Sequence, residues 1–134
     1  MKILFIGDIV GSPGREAVRA LVHGLRKEYS LDLVIANAEN AAGGSGINAK
    51  VAGELFSSSV DVLTSGDHIW KKKEVFEIID QEPRILRPLN FPAGAPGAGF
   101  GIFTTAQGVK VGVVCVLGRV FLEPLECPFK SVKK

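Results

Sequence analysis

Three short runs of hydrophobic residues occur in the first half of the chain, and each ends in a small or polar residue. They are Lys2–Gly7, Asp32–Asn37 and Val60–Thr64. Continuous runs of this length, rich in branched aliphatic residues, are typical of strands that are buried on both faces of a parallel sheet. The pattern therefore predicts three buried parallel strands.

Segments with hydrophobic residues at helical spacing alternate with these strands. Arg15–Glu28 places its apolar residues on one face and its charges on the other, and Pro13 suits a first helical turn. Asn48 can cap a helix over Ala49–Ser57, and Lys72–Asp80 is expected to form a third helix. A β-α-β-α-β-α order at short intervals predicts an α/β domain, with helices packed against a parallel sheet.

The pattern changes in the last third of the chain. Residues 87–101 are rich in proline and glycine and are expected to form a long irregular loop. Phe100–Thr105 and Lys110–Leu117 follow as two strands, either a hairpin around Gln107-Gly108 or adjacent strands. Because an α/β unit normally follows its last strand with another helix, we expect residues 1–134 to be the first part of a longer domain.

Composition narrows the class of protein but adds little about its chemistry. The 134 residues include 16 basic and 14 acidic ones, and this near balance gives no charge pattern for nucleic-acid or membrane binding. No hydrophobic run approaches the length of a membrane span. Cys115 and Cys127 are isolated, with no secretion signal, which indicates a reducing cytoplasm and unpaired thiols. We therefore expect a cytoplasmic protein without a membrane or stable nucleic-acid partner.

Polar residues follow all three predicted parallel strands. They are Asp8 after the first, Glu39 and Asn40 after the second, and Asp67 and His68 after the third. Because the carboxyl ends of parallel strands open on one edge of the sheet, these side chains should converge there. Carboxylate and amide oxygens with an imidazole are suitable ligands for Mg²⁺, Mn²⁺ or Fe²⁺. The sequence therefore predicts a metal or phosphate site at this edge.

Each of these residues also has a purely structural interpretation. Asp8 can begin a turn, and Glu39 with Asn40 can cap a loop. Asp67 can cap the helix that follows, and His68 can be a hydrogen-bonded core histidine. The joint occurrence of these residues at three strand ends is what favours a site.

Other candidate motifs are weaker. The stretch GDIVGSPGR lacks the GxGxxG spacing of a dinucleotide fold and the lysine of a P-loop. A tight turn is therefore the simpler interpretation of its glycines, and a phosphate-binding turn is the alternative. The lysines at 71–73 indicate a solvated helix start, and His23 lies on the expected surface of the first helix.

Five motifs in order carry a resemblance to a known family: GDIVG, NAENAAGGSGI, SGDHIW, RPLNFP and GRVF with the later CPF. They resemble the bacterial calcineurin-like metallophosphoesterases that act as 2′,3′-cyclic-nucleotide 2′-phosphodiesterases, over nearly the whole chain. The resemblance implies a four-layer α/β/β/α sandwich, of which residues 1–134 are the N-terminal part. It also implies two divalent metal ions, most simply iron or manganese with magnesium as a further option, and hydrolysis of a small-molecule nucleotide.

The resemblance assigns a role to each candidate residue. Asp8 and Asn40 are the implied ligands of the first metal, and Glu39 is the implied carboxylate that bridges both. Asp67 stands where the family usually has an asparagine ligand of the second metal, and His68 matches its proton donor. The family takes three further metal-ligand histidines from its second half, whereas this sequence has two histidines in all.

Two interpretations of function follow. The first is a metal-dependent phosphodiesterase, and the second is a non-catalytic fragment or a nucleotide-binding module with a Rossmann-like sheet. Half of a two-sheet sandwich would expose the apolar sides of the strands at Lys2–Gly7, Asp32–Asn37 and Lys110–Leu117. We therefore expect the 134-residue chain to self-associate, as a homo-oligomer, or to be only marginally stable.

Overall fold

A four-stranded parallel sheet forms the centre of the fold. The computed structural model describes residues 1–133. The strands lie in the order in which they occur in the chain, β1 (Ile3–Ile6), β2 (Leu33–Asn37), β3 (Val62–Thr64) and β4 (Ile85–Leu86). The three predicted parallel strands are confirmed, and the two-residue β4 is an addition that the sequence pattern did not indicate.

Two α-helices connect the first three strands. Helix α1 spans Gly11–Tyr29, so it begins earlier than the periodic segment that predicts it, and α2 spans Ala49–Ser57. The cap is confirmed, because the side chain of Asn48 accepts a hydrogen bond of 3.0 Å from the backbone N–H of Val51. Since parallel crossovers are right-handed and each new strand adds on the same side, the connecting segments pack on one face of the sheet.

The third helix predicted over Lys72–Asp80 is wrong. The chain forms two short 3₁₀ turns instead, Asp67–Trp70 and Lys73–Glu77. The ring of Trp70 stacks on that of Phe76, with centroids 5.1 Å apart. Residues six positions apart lie on different sides of an α-helix, so this stacking requires the chain to bend between the two turns.

An antiparallel hairpin covers the other face of the sheet. Its strands are β5 (Phe100–Thr104) and β6 (Lys110–Val114), which confirms the predicted hairpin, and Gly108 takes the positive φ of 80° that the turn requires. A short helix α3 (Pro128–Lys133) follows, which the sequence pattern did not predict. None of the helices in residues 1–133 is both long and apolar enough to cross a bilayer.

Hydrophobic residues are buried on both sides of the sheet. One cluster lies between the sheet and the layer of α1, α2 and the 3₁₀ turns, and it includes Val34, Leu63 and Leu55. A smaller cluster lies between the sheet and the hairpin, where Ile35 meets Val113. The α/β class is therefore confirmed as a helix layer, a parallel sheet and a hairpin layer, and the complete four-layer sandwich stays a prediction.

The burial of the outer strand β1 differs from the prediction. Ile3 and Phe5 are 41% and 60% exposed, so β1 is not a fully buried strand, whereas the expected exposure of an apolar side of this strand is confirmed. It lies at the edge of the sheet, and the hairpin contacts its neighbours. Conversely, β2 was expected to expose an apolar side, and this is wrong, because Leu33 and Ile35 pack under the hairpin.

Candidate functional site

The carboxyl edge of the parallel sheet brings together the five residues that the sequence singled out. A chain of side-chain hydrogen bonds runs from Asp8 through Asn40 to His68, and Glu39 and Asp67 lie against His68. These residues come from three loops that are about 30 residues apart along the chain. The predicted convergence is confirmed.

Asp8 occupies an unusual backbone conformation directly after β1. Its φ is +29°, which is uncommon for a residue other than glycine. Its exposed carboxylate Oδ1 accepts a hydrogen bond of 2.8 Å from Asn40 Nδ2. A positive φ in a residue other than glycine costs conformational energy, and it persists only where surrounding contacts stabilise it. The strained turn therefore serves to position the Asp8 carboxylate.

The loop that carries Glu39 and Asn40 is held by its own backbone and by α1. The Asn40 carbonyl accepts from the N–H groups of Gly11, at 3.0 Å, and Gly44, at 3.1 Å. The Arg15 guanidinium donates to the Ala41 carbonyl at 2.6 Å. The polar loop is thus fixed to the start of α1, close to Asp8, which orients the Asn40 side chain.

His68 has a different partner on each ring nitrogen. Its Nδ1 lies 2.6 Å from Asn40 Oδ1, and its Nε2 lies 3.5 Å from Asp67 Oδ2. Its backbone N–H makes a long hydrogen bond of 3.4 Å to Glu39 Oε2. The hydrogen bond to Asn40 fixes the orientation of the imidazole. Because the residue is only half-buried, the ring remains accessible to solvent.

Gly66 allows the third loop to approach Glu39. A β-carbon at this position would lie only 2.6 Å from Glu39 Oε1. Below Gly66, the buried Cys115 Sγ donates to the Ser65 carbonyl at 3.2 Å, and burial raises the pKa of this thiol to about 11. Neither residue is among those predicted from the sequence, although a small residue directly before Asp67-His68 is a usable signal for Gly66.

The lysine run has three different environments. Lys71 lines a cleft beside Asp67, Lys72 packs on Gly46, and Lys73 begins the second 3₁₀ turn. The prediction of a solvated helix start is therefore wrong for Lys72, which is partly buried, and no α-helix begins here. His23 is exposed on α1 as predicted, with its Nδ1 3.4 Å from Ser59 Oγ.

The residues at this edge fit divalent metals by type but form an incomplete set. Three carboxylates and one carboxamide oxygen are hard ligands of the kind that Mg²⁺ and Mn²⁺ take. Within residues 1–133, however, no group of three or more His, Cys, Asp or Glu side chains is arranged to hold an ion. The described part of the chain therefore brings suitable donor types together without forming a complete ion-binding group.

The chain matches a known protein family over nearly its whole length. A family model described as "YmdB-like protein" matches residues 4–134. The chain belongs to the YmdB-like family. A 2′,3′-cyclic-nucleotide 2′-phosphodiesterase of Bacillus subtilis strain 168 is 46% identical over 129 residues, which are 96% of this chain and 48% of the relative. This YmdB-like chain thus spans about half the length of the curated relatives it matches.

Solved structures show the same fold over the same extent. A hypothetical protein from Thermus thermophilus has a TM-score of 0.92 and 41% identity, covering 99% of this YmdB-like chain and 51% of that protein. A protein of Mycoplasma pneumoniae described as a novel phosphatase has a TM-score of 0.90 and 30% identity, covering 99% and 49%. The α/β fold is therefore shared with a protein described as a phosphatase.

Proposed function

We propose that this chain forms part of a metal-dependent phosphodiesterase that hydrolyses 2′,3′-cyclic nucleotides. The observation that carries the proposal is the Asp8–Asn40–His68 hydrogen-bond chain, flanked by the Glu39 and Asp67 carboxylates. The name of the Bacillus subtilis relative supports this substrate, and the description of the Mycoplasma pneumoniae structure supports phosphoester hydrolysis.

Four oxygen-bearing side chains would hold the metal. Asp8 and Asn40 would bind the first ion, Asp67 would bind the second, and Glu39 would bind both. Iron or manganese are the preferred ions, and magnesium is an option. When bound, two such ions supply charge stabilisation and a hydroxide-like water at neutral pH. Since the described residues form no complete ion-binding group, the remaining ligands would come from outside these residues.

His68 is the group that would give up a proton. Its Nδ1 is occupied by the hydrogen bond to Asn40 Oδ1, so Nε2 is the nitrogen left to face a leaving oxygen. Protonation of the departing alkoxide by a positioned histidine is worth about 10²–10⁴-fold in rate. The Asp67 carboxylate, 3.5 Å from Nε2, lies on the side of the ring from which the proton would leave.

The role of His68 is tested by leaving-group dependence in the natural protein that contains this chain. His68→Ala should lower turnover of a 2′,3′-cyclic nucleotide by about 10²–10⁴-fold and leave the metal content unchanged. The loss should be smaller for a nitrophenyl phosphodiester, because that phenolate leaves without a proton. An equal loss on both substrates, or loss of metal, would show that His68 is a ligand or a structural residue.

The role of Asp67 is tested by metal stoichiometry. Asp67→Ala should lower metal occupancy, with partial rescue of activity by added Mn²⁺, whereas Asp67→Asn keeps an oxygen ligand and should remain active. Glu28→Ala, on the exposed end of α1, is the matched control for removal of one carboxylate. Normal metal content in Asp67→Ala would contradict the assignment.

The 134-residue chain itself gives a further test of the donor set. Its donors at the site are oxygens, without the nitrogen ligands of the family, so we expect weak Mg²⁺ or Mn²⁺ binding and little affinity for Zn²⁺. Calorimetry measures this directly. Sub-micromolar Zn²⁺ binding that survives replacement of Cys115 and Cys127 would contradict it.

A further inference from the structure

A cleft of about 400 Å³ opens directly beside the candidate site. It lies between the 3₁₀ turn Asp67–Trp70 and the segment 117–125, and Asp67 is common to the cleft and to the site. Its volume is within the range of small-molecule sites, about 300–1,000 Å³. A somewhat larger cleft between α1 and α2 is far less suited to a ligand, because its Arg15 and Glu54 are paired with each other at 2.8 Å.

One wall of the cleft is a fixed aromatic surface. Trp70 is stacked on Phe76 and meets Phe91 edge to face, with centroids 5.7 Å apart. Trp70 and Phe91 both line the cleft, and both pack against the main hydrophobic cluster. This wall is therefore preorganised, so a flat ligand placed against it would not have to order it first.

The opposite rim carries an aromatic ring that the fold leaves in solvent. Phe121 is fully exposed, with a relative exposure of 103%, and its φ is +57°. A bulky side chain at positive φ is strained, and this one gains no burial in return. The ring therefore supplies apolar surface that a ligand in the cleft can cover.

The lysine of the cleft lies at the end next to the candidate site. Lys71 lines the cleft and directly follows the 3₁₀ turn that carries Asp67 and His68. The lining also carries two carboxylates, Asp67 on that same turn and Glu123 on the segment 117–125. A cation within reach of the catalytic end suits a phosphate or ribose oxygen, whereas the aromatic residues suit an uncharged planar group.

We infer that this cleft binds the nucleoside part of the substrate, with the base between the Trp70–Phe91 wall and Phe121 and the phosphate directed to His68. The inference rests on the proposed function, because it takes the phosphate to be the reacting group. Lys71 contacts the phosphate. Base stacking on aromatic side chains is sequence-tolerant, so the cleft would accept more than one base.

The single tryptophan of the chain allows a direct binding test on the 134-residue protein. Adenosine 3′-phosphate and adenosine, added in the presence of a chelator, should each change the fluorescence of Trp70, and inorganic phosphate alone should not. Phe121→Ala should weaken adenosine 3′-phosphate binding by about tenfold or more, the equivalent of one lost stacking contact. Because Phe121 is fully exposed, this change should leave the melting temperature unaltered.

Two matched variants separate stacking from general effects. Val120→Ala removes an exposed side chain next to Phe121 that is not part of the cleft lining, and it should bind as the unchanged chain does. Lys71→Ala should weaken adenosine 3′-phosphate binding and leave adenosine binding unchanged, whereas Lys73→Ala should affect neither.

The outcomes distinguish this inference from the proposed function. Normal nucleotide affinity in Phe121→Ala, the same fluorescence change with inorganic phosphate alone, or no change at millimolar nucleotide would overturn the cleft assignment. A different outcome would overturn the proposed function and leave the cleft as a binding site. In that outcome, nucleotide binding depends on Phe121, but the natural protein hydrolyses no phosphodiester with any divalent metal.

Discussion

Asn40 connects Asp8 to His68 through both ends of one carboxamide. Its Nδ2 donates to Asp8 Oδ1 at 2.8 Å, and its Oδ1 lies 2.6 Å from His68 Nδ1. A carboxylate accepts hydrogen bonds, so the amide nitrogen must face Asp8 and the amide oxygen must face His68. The proton of the neutral imidazole is therefore on Nδ1, and the Nε2 proton that would pass to a leaving oxygen is the second proton, which only the imidazolium carries.

This relationship predicts the tautomer of His68. Long-range ¹H–¹⁵N spectra of the 134-residue chain at a pH where the ring is neutral should show His68 protonated on Nδ1. In Asn40→Ala the ring loses its acceptor, so the signals should move toward a mixture of tautomers. His23, which contacts Ser59 Oγ on the other side of the fold, provides the internal control and should not change. A neutral His68 protonated on Nε2 in the unchanged chain would contradict the proposed hydrogen-bond direction.

Gly66→Ala should disturb the site because of space rather than backbone conformation. A β-carbon there would overlap with the Glu39 carboxylate, so the loop or the carboxylate has to move. We expect a loss of about 1–3 kcal/mol in the free energy of unfolding and weaker Mn²⁺ binding. Denaturant titration and calorimetry measure the two effects.

A glycine in a helix provides the control for Gly66→Ala. Gly53 is in α2, and a β-carbon at this position would have no neighbour within 4 Å among the described residues. Gly53→Ala should therefore be neutral or stabilise by about 0.5–1 kcal/mol. Equal changes in the free energy of unfolding in the two variants would show that the close approach of Gly66 to Glu39 does not determine the effect of Gly66→Ala.

Cys115 should make the chain sensitive to alkaline pH. Burial raises the pKa of its thiol from 9.0 to about 11, so the folded state holds this proton more tightly than the unfolded state does. The resulting stability is present below pH 9 and is lost as the pH rises from 9 to 11, by on the order of 2 kcal/mol. Unfolding free energies measured across this range should fall more steeply in the unchanged chain than in Cys115→Ala.

The two thiols should also differ in reactivity. A hydrogen bond from the backbone N–H of Lys130 lowers the pKa of the Cys127 thiol. Because Cys127 is also only partly buried, its thiol should react with a disulfide reagent at neutral pH. Cys115 should react only on unfolding. Two equally fast thiols would contradict the buried position of Cys115.

The exposed apolar faces predict self-association of the 134-residue chain. Phe100, Ile102 and Val114 project from the outer face of the hairpin, and Ile3 and Phe5 are exposed on β1. Ile102→Lys should shift sedimentation toward the monomer. Ala106→Lys adds the same charge at the hairpin turn without removing apolar surface from these faces, so it should leave the association in place. A monomer at all concentrations in the unchanged chain would contradict this prediction.

The sequence by itself determined that parallel strands alternate with helices and at which edge of the sheet the candidate site residues lie. Continuous aliphatic runs indicated β2 and β3. Because the carboxyl ends of parallel strands all lie at one edge of the sheet, Asp8, Asn40 and His68 had to share that edge. The Asn48 cap was also predictable, since a local hydrogen bond depends on neighbouring residues alone.

Only the tertiary structure decided which faces were buried and how the site residues were oriented. The burial of β2 and the exposure of β1 depend on where the hairpin packs, and the break between the 3₁₀ turns depends on the stacking of Trp70 on Phe76. The role of Gly66 depends on its distance from Glu39, and the exposure of Phe121 beside a cleft depends on a loop with no periodic pattern. These features arise from contacts between residues far apart in the chain, which composition and local spacing do not encode.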